Sequence, residues 1–311
     1  MDDSTKEAFQ QGLQKLSLPE QIGTILNQYP DDGQILKEII QNAEDAKAKK
    51  VKFLLDVNSY PCDSLVNEDL SVFQGPALLA YNDALFEADD WKSIRLMYDS
   101  EKKEDALKVG RFGLGFKSIF HITDIPMLVS GDGVAFIDPH ERYFKTEYKD
   151  NNGRIKSKRT SSYVYNIRTD RSKIEAVPNQ WLPFTHSAVD LNEDHFLQGL
   201  TYNGTLFRFP LRSPEDNSEI TSNSYSTDRI QNELFASIKR EGHLYPIFLR
   251  HLESIELYSN NSSNGNSMAR KFEISITPSS LPGVQEARGR LLAGLQDQRE
   301  CSEVYNGFDC L

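Results

Sequence analysis

Glu38-Ile39-Ile40-Gln41-Asn42-Ala43-Glu44-Asp45-Ala46 is the stretch on which the reading of this chain turns. Around it, over 34–47, Ile35, Ile39, Ile40, Ala43 and Ala46 recur at helical spacing and predict a helix with one buried side. Glu38, Asn42 and Asp45 stand at i, i+4 and i+7, on one stripe of that helix. A carboxylate and an amide one turn apart suit a magnesium–nucleotide site. The amide oxygen can coordinate a hard cation, and the carboxylate can take a proton from an attacking water. An ordinary solvated helix face is the plainer alternative.

Working outward, Ser17 and Glu20 have capping-box spacing ahead of Leu18, Ile22, Ile25 and Leu26, so a first helix precedes this one and stops near Pro30. Alternation predicts strands over 51–57 and 77–81, then a short helix over 87–98. Gly110-Arg111-Phe112-Gly113-Leu114-Gly115-Phe116-Lys117-Ser118 follows. Glycines this close let backbone N–H groups converge on a phosphate chain, with Lys108, Arg111 and Lys117 able to neutralise it. A tight turn closed by Phe112 and Phe116 is the competing reading. Two strands, 126–130 and 134–137, flank the turn Gly131-Asp132-Gly133. A polar stretch over 143–175 reads as a long hairpin or insertion, and 212–228 as loop. A strand over 205–211 is expected at an edge or to end at its proline. Strands are also expected over 247–258 and 271–277. Beyond Pro278 no closing element is evident, so 10–277 reads as one domain and 278–311 as a polar extension of a longer protein.

Composition narrows the classes. Lys+Arg 35 against Asp+Glu 46 leaves a net charge of −11, which argues against a general nucleic-acid-binding surface; no DNA partner is expected. Cys62, Cys301 and Cys310 are too few and scattered for a disulfide framework or a structural zinc. No apolar run reaches the roughly 18–20 residues that cross a bilayer, and the first residues are polar. The expectation is a cytoplasmic protein without membrane contact. The six histidines show no ligand spacing, and Ser118 sits in no nucleophile elbow.

Taken together, Glu38–Ala46 and Gly110–Ser118 resemble the conserved boxes of the GHKL superfamily, which includes gyrase B, the ninety-kilodalton heat-shock chaperones, histidine kinases and MutL. Within it the chain is most similar to the sacsin repeats. The blocks 29–46, 73–86, 89–91, 107–126, 130–132 and 138–140 occur in the expected order. The resemblance is strong over 17–145 and looser to about 275. It implies a two-layer α/β sandwich with a mixed, mostly antiparallel sheet, helices on one face and ATP-Mg²⁺ between the layers. It also implies roles: Glu38 as general base, Asn42 as magnesium ligand, and Asp45 with Ala46 on the sugar and base side. Gly110, Gly113, Gly115 and Phe116 would contact phosphate, and Thr205 would help hold adenine and its bridging water.

The resemblance breaks at the adenine-reading box. The family's Asp-x-Gly-x-Gly is here Asn82-Asp83-Ala84-Leu85-Phe86. Asn82 offers an uncharged carbonyl oxygen where the family has a carboxylate, which weakens that hydrogen bond by about half. Asp83 takes the role if the turn shifts by one residue, and Phe86 threatens to fill the pocket. The segment 87–109 leaves only a small lid. Two functions follow as expectations. One is a chaperone-type module that binds ATP or ADP weakly, hydrolyses slowly if at all, and works with protein clients or chaperone partners. The other is a scaffold or client-binding module that keeps the fold without productive nucleotide binding. A DNA-linked relative of the MutL or gyrase ATPases fits the charge least well.

Overall fold

The computed structural model describes residues 16–29, 31–97, 114–150, 152–185, 201–260, 268–277 and 280–306. Its frame is an eight-stranded sheet in the order β10-β9-β1-β2-β8-β3-β4-β7. The strands are β1 (Lys50–Asp56), β2 (Ala77–Asn82), β3 (Met127–Gly131), β4 (Gly133–Ile137), β7 (Ser162–Asn166), β8 (Tyr202–Pro210), β9 (Ser254–Asn260) and β10 (Met268–Ser275). All neighbours run antiparallel except β1 with β9. The central strands are buried on both faces, which is why β2 reads as an unbroken apolar run.

Two helices that the sequence predicts lie on one face. In α1 (Leu18–Leu26), the Ser17 backbone N–H donates to the Glu20 carboxylate at 2.7 Å and the Glu20 N–H to Ser17 Oγ at 3.4 Å, so two otherwise orphaned donors are satisfied. Helix α2 (Gln34–Asp45) starts with Asp32 Oδ1 accepting from the Gln34 N–H at 2.8 Å and buries Ile35, Leu36, Ile39, Ile40 and Ala43. These pack on Phe53, Leu78 and Phe207 of the sheet, together with Phe120 from a 3-10 helix (Leu114–His121) and Phe235 and Ile238 from a helix (Phe235–Glu241). The α/β sandwich expected from sequence is therefore present.

The opposite sheet face carries a second core. Leu54, Leu79 and Leu206 meet Leu70 from a 3-10 turn (Glu68–Phe73), Ile174 from a short helix (Arg171–Glu175), and Trp181 and Phe184 from another (Pro178–Thr185). Part of this cover comes from the stretch read as insertion. There, β5 (Lys145–Lys149) and β6 (Ile155–Arg159) do form a projecting hairpin, but β7 returns as the edge of the main sheet. Strand β8 lies inside the sheet between β2 and β3, and Pro210 closes its end, where a missing N–H does least harm. The strand expected over 247–258 begins only at Ser254, because Tyr245–Phe248 turns into a short helix. Leu281–Asn306 forms a 26-residue helix where no element was expected. Among the described residues, no helix is long and apolar enough to cross a membrane.

Candidate functional site

The cleft lies between α2 and the ends of β2, β8 and β3. Strand register puts Asn82 opposite Thr205 and Thr205 opposite Ser130, so three polar residues form one row across neighbouring strands. Gly204 precedes Thr205 at φ +115°, and a Cβ there would lie 2.6 Å from the Asn82 carbonyl oxygen, so only glycine allows this approach. From the facing helix come Ile39, Asn42 and Ala46. The α2 periodicity places Asn42 and Ala46 one turn apart on this side.

Hydrogen bonds fix the degenerate box. Asn82 Oδ1 accepts from the Ala84 N–H at 3.0 Å, the Thr205 hydroxyl donates to the Ala84 carbonyl at 2.8 Å, and the Phe86 N–H donates to Ser130 Oγ at 2.9 Å. Asp83 is turned elsewhere: its Oδ1 accepts from the Lys49 and Lys50 N–H groups at 2.7 and 3.1 Å. The choice of register left open by the sequence is thereby closed. Asn82 lines the cleft and Asp83 caps the start of β1.

Phe86 enters the space. Its ring lies 5.2 Å from Trp91 and 6.0 Å from Phe207, both edge-on, and Phe116 stands 5.5 Å from Phe207. What remains among Asn42, Asn82, Phe86, Asp90, Phe116 and Thr205 is a cavity of ≈ 20 Å³. That is room for about one water, not for a purine ring. The base end as it stands does not fit adenine.

The other end has a different character. A Cβ on Gly115 would lie 1.9 Å from Glu38 Oε2, so the Glu38 carboxylate rests directly on the glycine segment. Burial pushes the Glu38 carboxyl above its ordinary value. One turn on, the Asn42 side-chain nitrogen is buried without a hydrogen-bond partner among the described residues, and so is Ser118 Oγ. Lys117 is 4% exposed, has no carboxylate within ion-pair reach among the described residues, and is pulled below its ordinary value by burial. Buried polar groups without partners are costly. An anion with its cation would satisfy an amide, a hydroxyl and an ammonium together. For magnesium the residues fit in part: the Asn42 amide can supply one oxygen, and this metal usually takes its remaining ligands from water and phosphate.

Of the residues singled out from sequence, Asn42, Ala46, Asn82, Phe116 and Thr205 share the cavity, and Glu38 meets Gly115 beside it. Asp45 does not join them; it is exposed and lines a separate groove with Lys37, Tyr245 and Phe248. Lys108, Gly110, Arg111 and Gly113 lie outside the described residues, as does most of the lid segment 87–109. Ser130 and Asp90 were missed. Ser130 becomes visible only through strand register, whereas Asp90 caps its own helix by accepting from the Glu87 N–H at 2.9 Å, a local signal the sequence did offer.

The Sacsin domain family model matches residues 15–272. Human sacsin is 40% identical over 234 residues, which is 75% of this chain but 5% of that protein, so the chain spans a small fraction of its relative. A solved N-terminal domain of a DNA repair protein aligns over 81% of this chain and 55% of its own, with 10% identity and a TM-score of 0.36. With the family model covering most of its length, the chain belongs to the sacsin-domain family.

Proposed function

We propose that this is a chaperone-type nucleotide module of the sacsin family, one that takes the phosphate end of ATP-Mg²⁺ or ADP readily and the base end only after Phe86 moves. The observation that carries the reading is the pairing of Glu38, set against Gly115, with Asn42 one turn away, whose side-chain nitrogen is buried without a partner among the described residues. Glu38 is suited to accept a proton from water, since burial raises its pKa above the ordinary carboxylate value. Asn42 would hold the metal, which when bound neutralises phosphate charge. Thr205 and Asn82 would face the base, but their hydrogen bonds now close the box on itself. Weak binding and slow turnover follow, with the energy of Phe86 displacement spent on changing the shape of the module towards protein clients or chaperone partners in the cytoplasm.

Calorimetric titration with ATP-Mg²⁺, for wild type and Asn42→Ala, tests this reading. Saturable heat lost in the variant supports it. No heat and no nucleotide-dependent NMR shifts at millimolar ATP would sink it. The ≈ 20 Å³ cavity favours the second reading in that event, a scaffold or client-binding module that keeps the fold without productive nucleotide binding.

A further inference from the structure

Helix α2 is used on two flanks. Ile39, Asn42 and Ala46 line the cleft, while Lys37, Ile40, Gln41 and Glu44 line a separate groove of ≈ 680 Å³. Its other wall comes from the segment 241–251, where Phe248 stays 60% exposed. Polar ties bridge the groove. Lys37 Nζ pairs with Glu241 at 2.7 Å. Farther along α2, the Glu44 carboxylate accepts from three successive backbone N–H groups, those of Arg250 at 2.7 Å, His251 at 2.9 Å and Leu252 at 2.9 Å. Successive N–H groups converging in this way form an anion-binding nest, and here α2 fills it with its own side chain.

The same segment is held by the long helix Leu281–Asn306. Of that helix's described side chains, only Val284, Ala287 and Arg288 are half-buried, the narrow stripe of an i, i+3, i+4 contact. Arg288 Nε donates to the Pro246 carbonyl at 3.1 Å, and its Nη2 donates to the Leu249 carbonyl. The Leu249 carbonyl and the Arg250 N–H belong to one planar peptide unit. A guanidinium therefore holds its oxygen and a carboxylate its hydrogen, so the unit relays charge between two helices that share no direct salt bridge among the described residues. Charged partners on both sides polarise the peptide and strengthen both bonds. Rotating the unit breaks both at once. That leaves two discrete arrangements, closed and open, which is the physical basis that coupling between separated sites needs.

We infer that the Leu249–Arg250 peptide is a latch through which the seating of helix Leu281–Asn306 regulates the nucleotide cleft. Glu44 is its positioning residue: held in the nest, it fixes the last turn of α2 and with it Asn42, two residues earlier. Regulation of nucleotide binding rests on the function proposed above, whereas the latch itself does not. With the latch closed, α2 is preorganised for ATP-Mg²⁺. With it open, binding must also order that turn and is weaker. Linkage makes the effect reciprocal, so bound nucleotide seats the helix more firmly.

Hydrogen–deuterium exchange on the whole chain, without nucleotide, tests the latch from both ends. Arg288→Ala should speed exchange over 42–48 at least about fivefold, although its bonds go to Pro246 and Leu249, and Glu44→Gln should do the same over 281–290. Arg290→Ala is the control, since Arg290 pairs with Glu286 on its own helix; it should leave 42–48 unchanged. Circular dichroism should show all three variants folded, because none of the three side chains is buried. Unchanged exchange over 42–48 in Arg288→Ala, or equal acceleration by Arg290→Ala, would overturn the inference. Calorimetry then reads the cleft: both latch variants should bind ATP-Mg²⁺ at least about fivefold more weakly than wild type. Unchanged affinity would overturn the regulation. Absence of binding by wild type would sink the nucleotide reading instead, and the exchange comparison would still decide the latch.

Discussion

Phe86→Ala separates a closed nucleotide site from an absent one. The Phe86 ring is half-buried and meets Trp91 and Phe207 edge-on at 5.2 and 6.0 Å. Full burial of such a ring contributes about 1.5–3 kcal/mol, and each good aromatic pair adds about 0.5–1.5 kcal/mol. Partial exposure takes the total for Phe86 to about 2–3 kcal/mol. A base entering the wild-type cleft must spend that energy to move the ring; in the alanine variant the space stands open. The dissociation constant for ATP-Mg²⁺ should therefore fall about thirty- to a hundred-and-fifty-fold in Phe86→Ala. The same change should lower the melting temperature by several degrees, because about 2–3 kcal/mol of packing is lost. The backbone N–H that bonds Ser130 is retained, so the box should keep its shape. Calorimetry and a thermal melt read both effects on one sample. Adding Asn42→Ala should cancel the affinity gain. A folded Phe86→Ala variant that binds nucleotide no better than wild type would refute the idea that this ring is the barrier.

Three further outcomes follow from the same contacts. Glu38→Gln should raise the melting temperature at neutral pH. Burial lifts the folded carboxyl above its ordinary 4.5, so the charged form destabilises the fold above that folded value and the advantage of the variant should vanish as pH falls below 4.5. Gly115→Ala should leave stability within about 1 kcal/mol, since the added Cβ meets only the far end of Glu38. It should abolish any ATP turnover and weaken binding of the phosphates, which phosphate release and calorimetry read separately. Arg212→Leu should cost about 3–5 kcal/mol in denaturant melts. Arg212 is 2% exposed, bonds Asp124 Oδ1 at 2.8 Å and also serves the carbonyls of Phe120, His121 and Thr123, all of which would be left without that donor.

How much of this could be read beforehand depended on whether the signal was local. Helix α1 announced itself through Ser17 and Glu20, and α2 through five apolar residues on one side, because capping and periodicity are properties of neighbours in sequence. Strand β7 was hidden: Ser162-Tyr163-Val164-Tyr165-Asn166 follows a charged hairpin, and only its pairing with β4 makes it part of the sheet. The helix at Leu281–Asn306 was missed because its described side chains are largely exposed, leaving weak apolar periodicity to find. In the site, Glu38 and Asn42 were legible as a helical pair. Whether Asn82 or Asp83 faced the cleft was not, since the answer lies with the Lys49 and Lys50 N–H groups more than thirty residues away.

Those two halves of the site put opposite demands on the chain. At the glycine end, the Asn42 side-chain nitrogen and Ser118 Oγ are buried without a partner among the described residues, beside the buried Lys117, a state that costs stability. At the base end Asn82, Ala84, Phe86, Ser130 and Thr205 bond or pack with one another. A site that had simply decayed would be expected to relieve its unpartnered polar groups first, because substituting Asn42 or Ser118 with an apolar residue of similar size would gain stability at once. The closed half is the part where a single side chain, Phe86, does the closing. That asymmetry is what favours a gated nucleotide module over a relic, and it makes the paired result of Phe86→Ala and Asn42→Ala the deciding comparison.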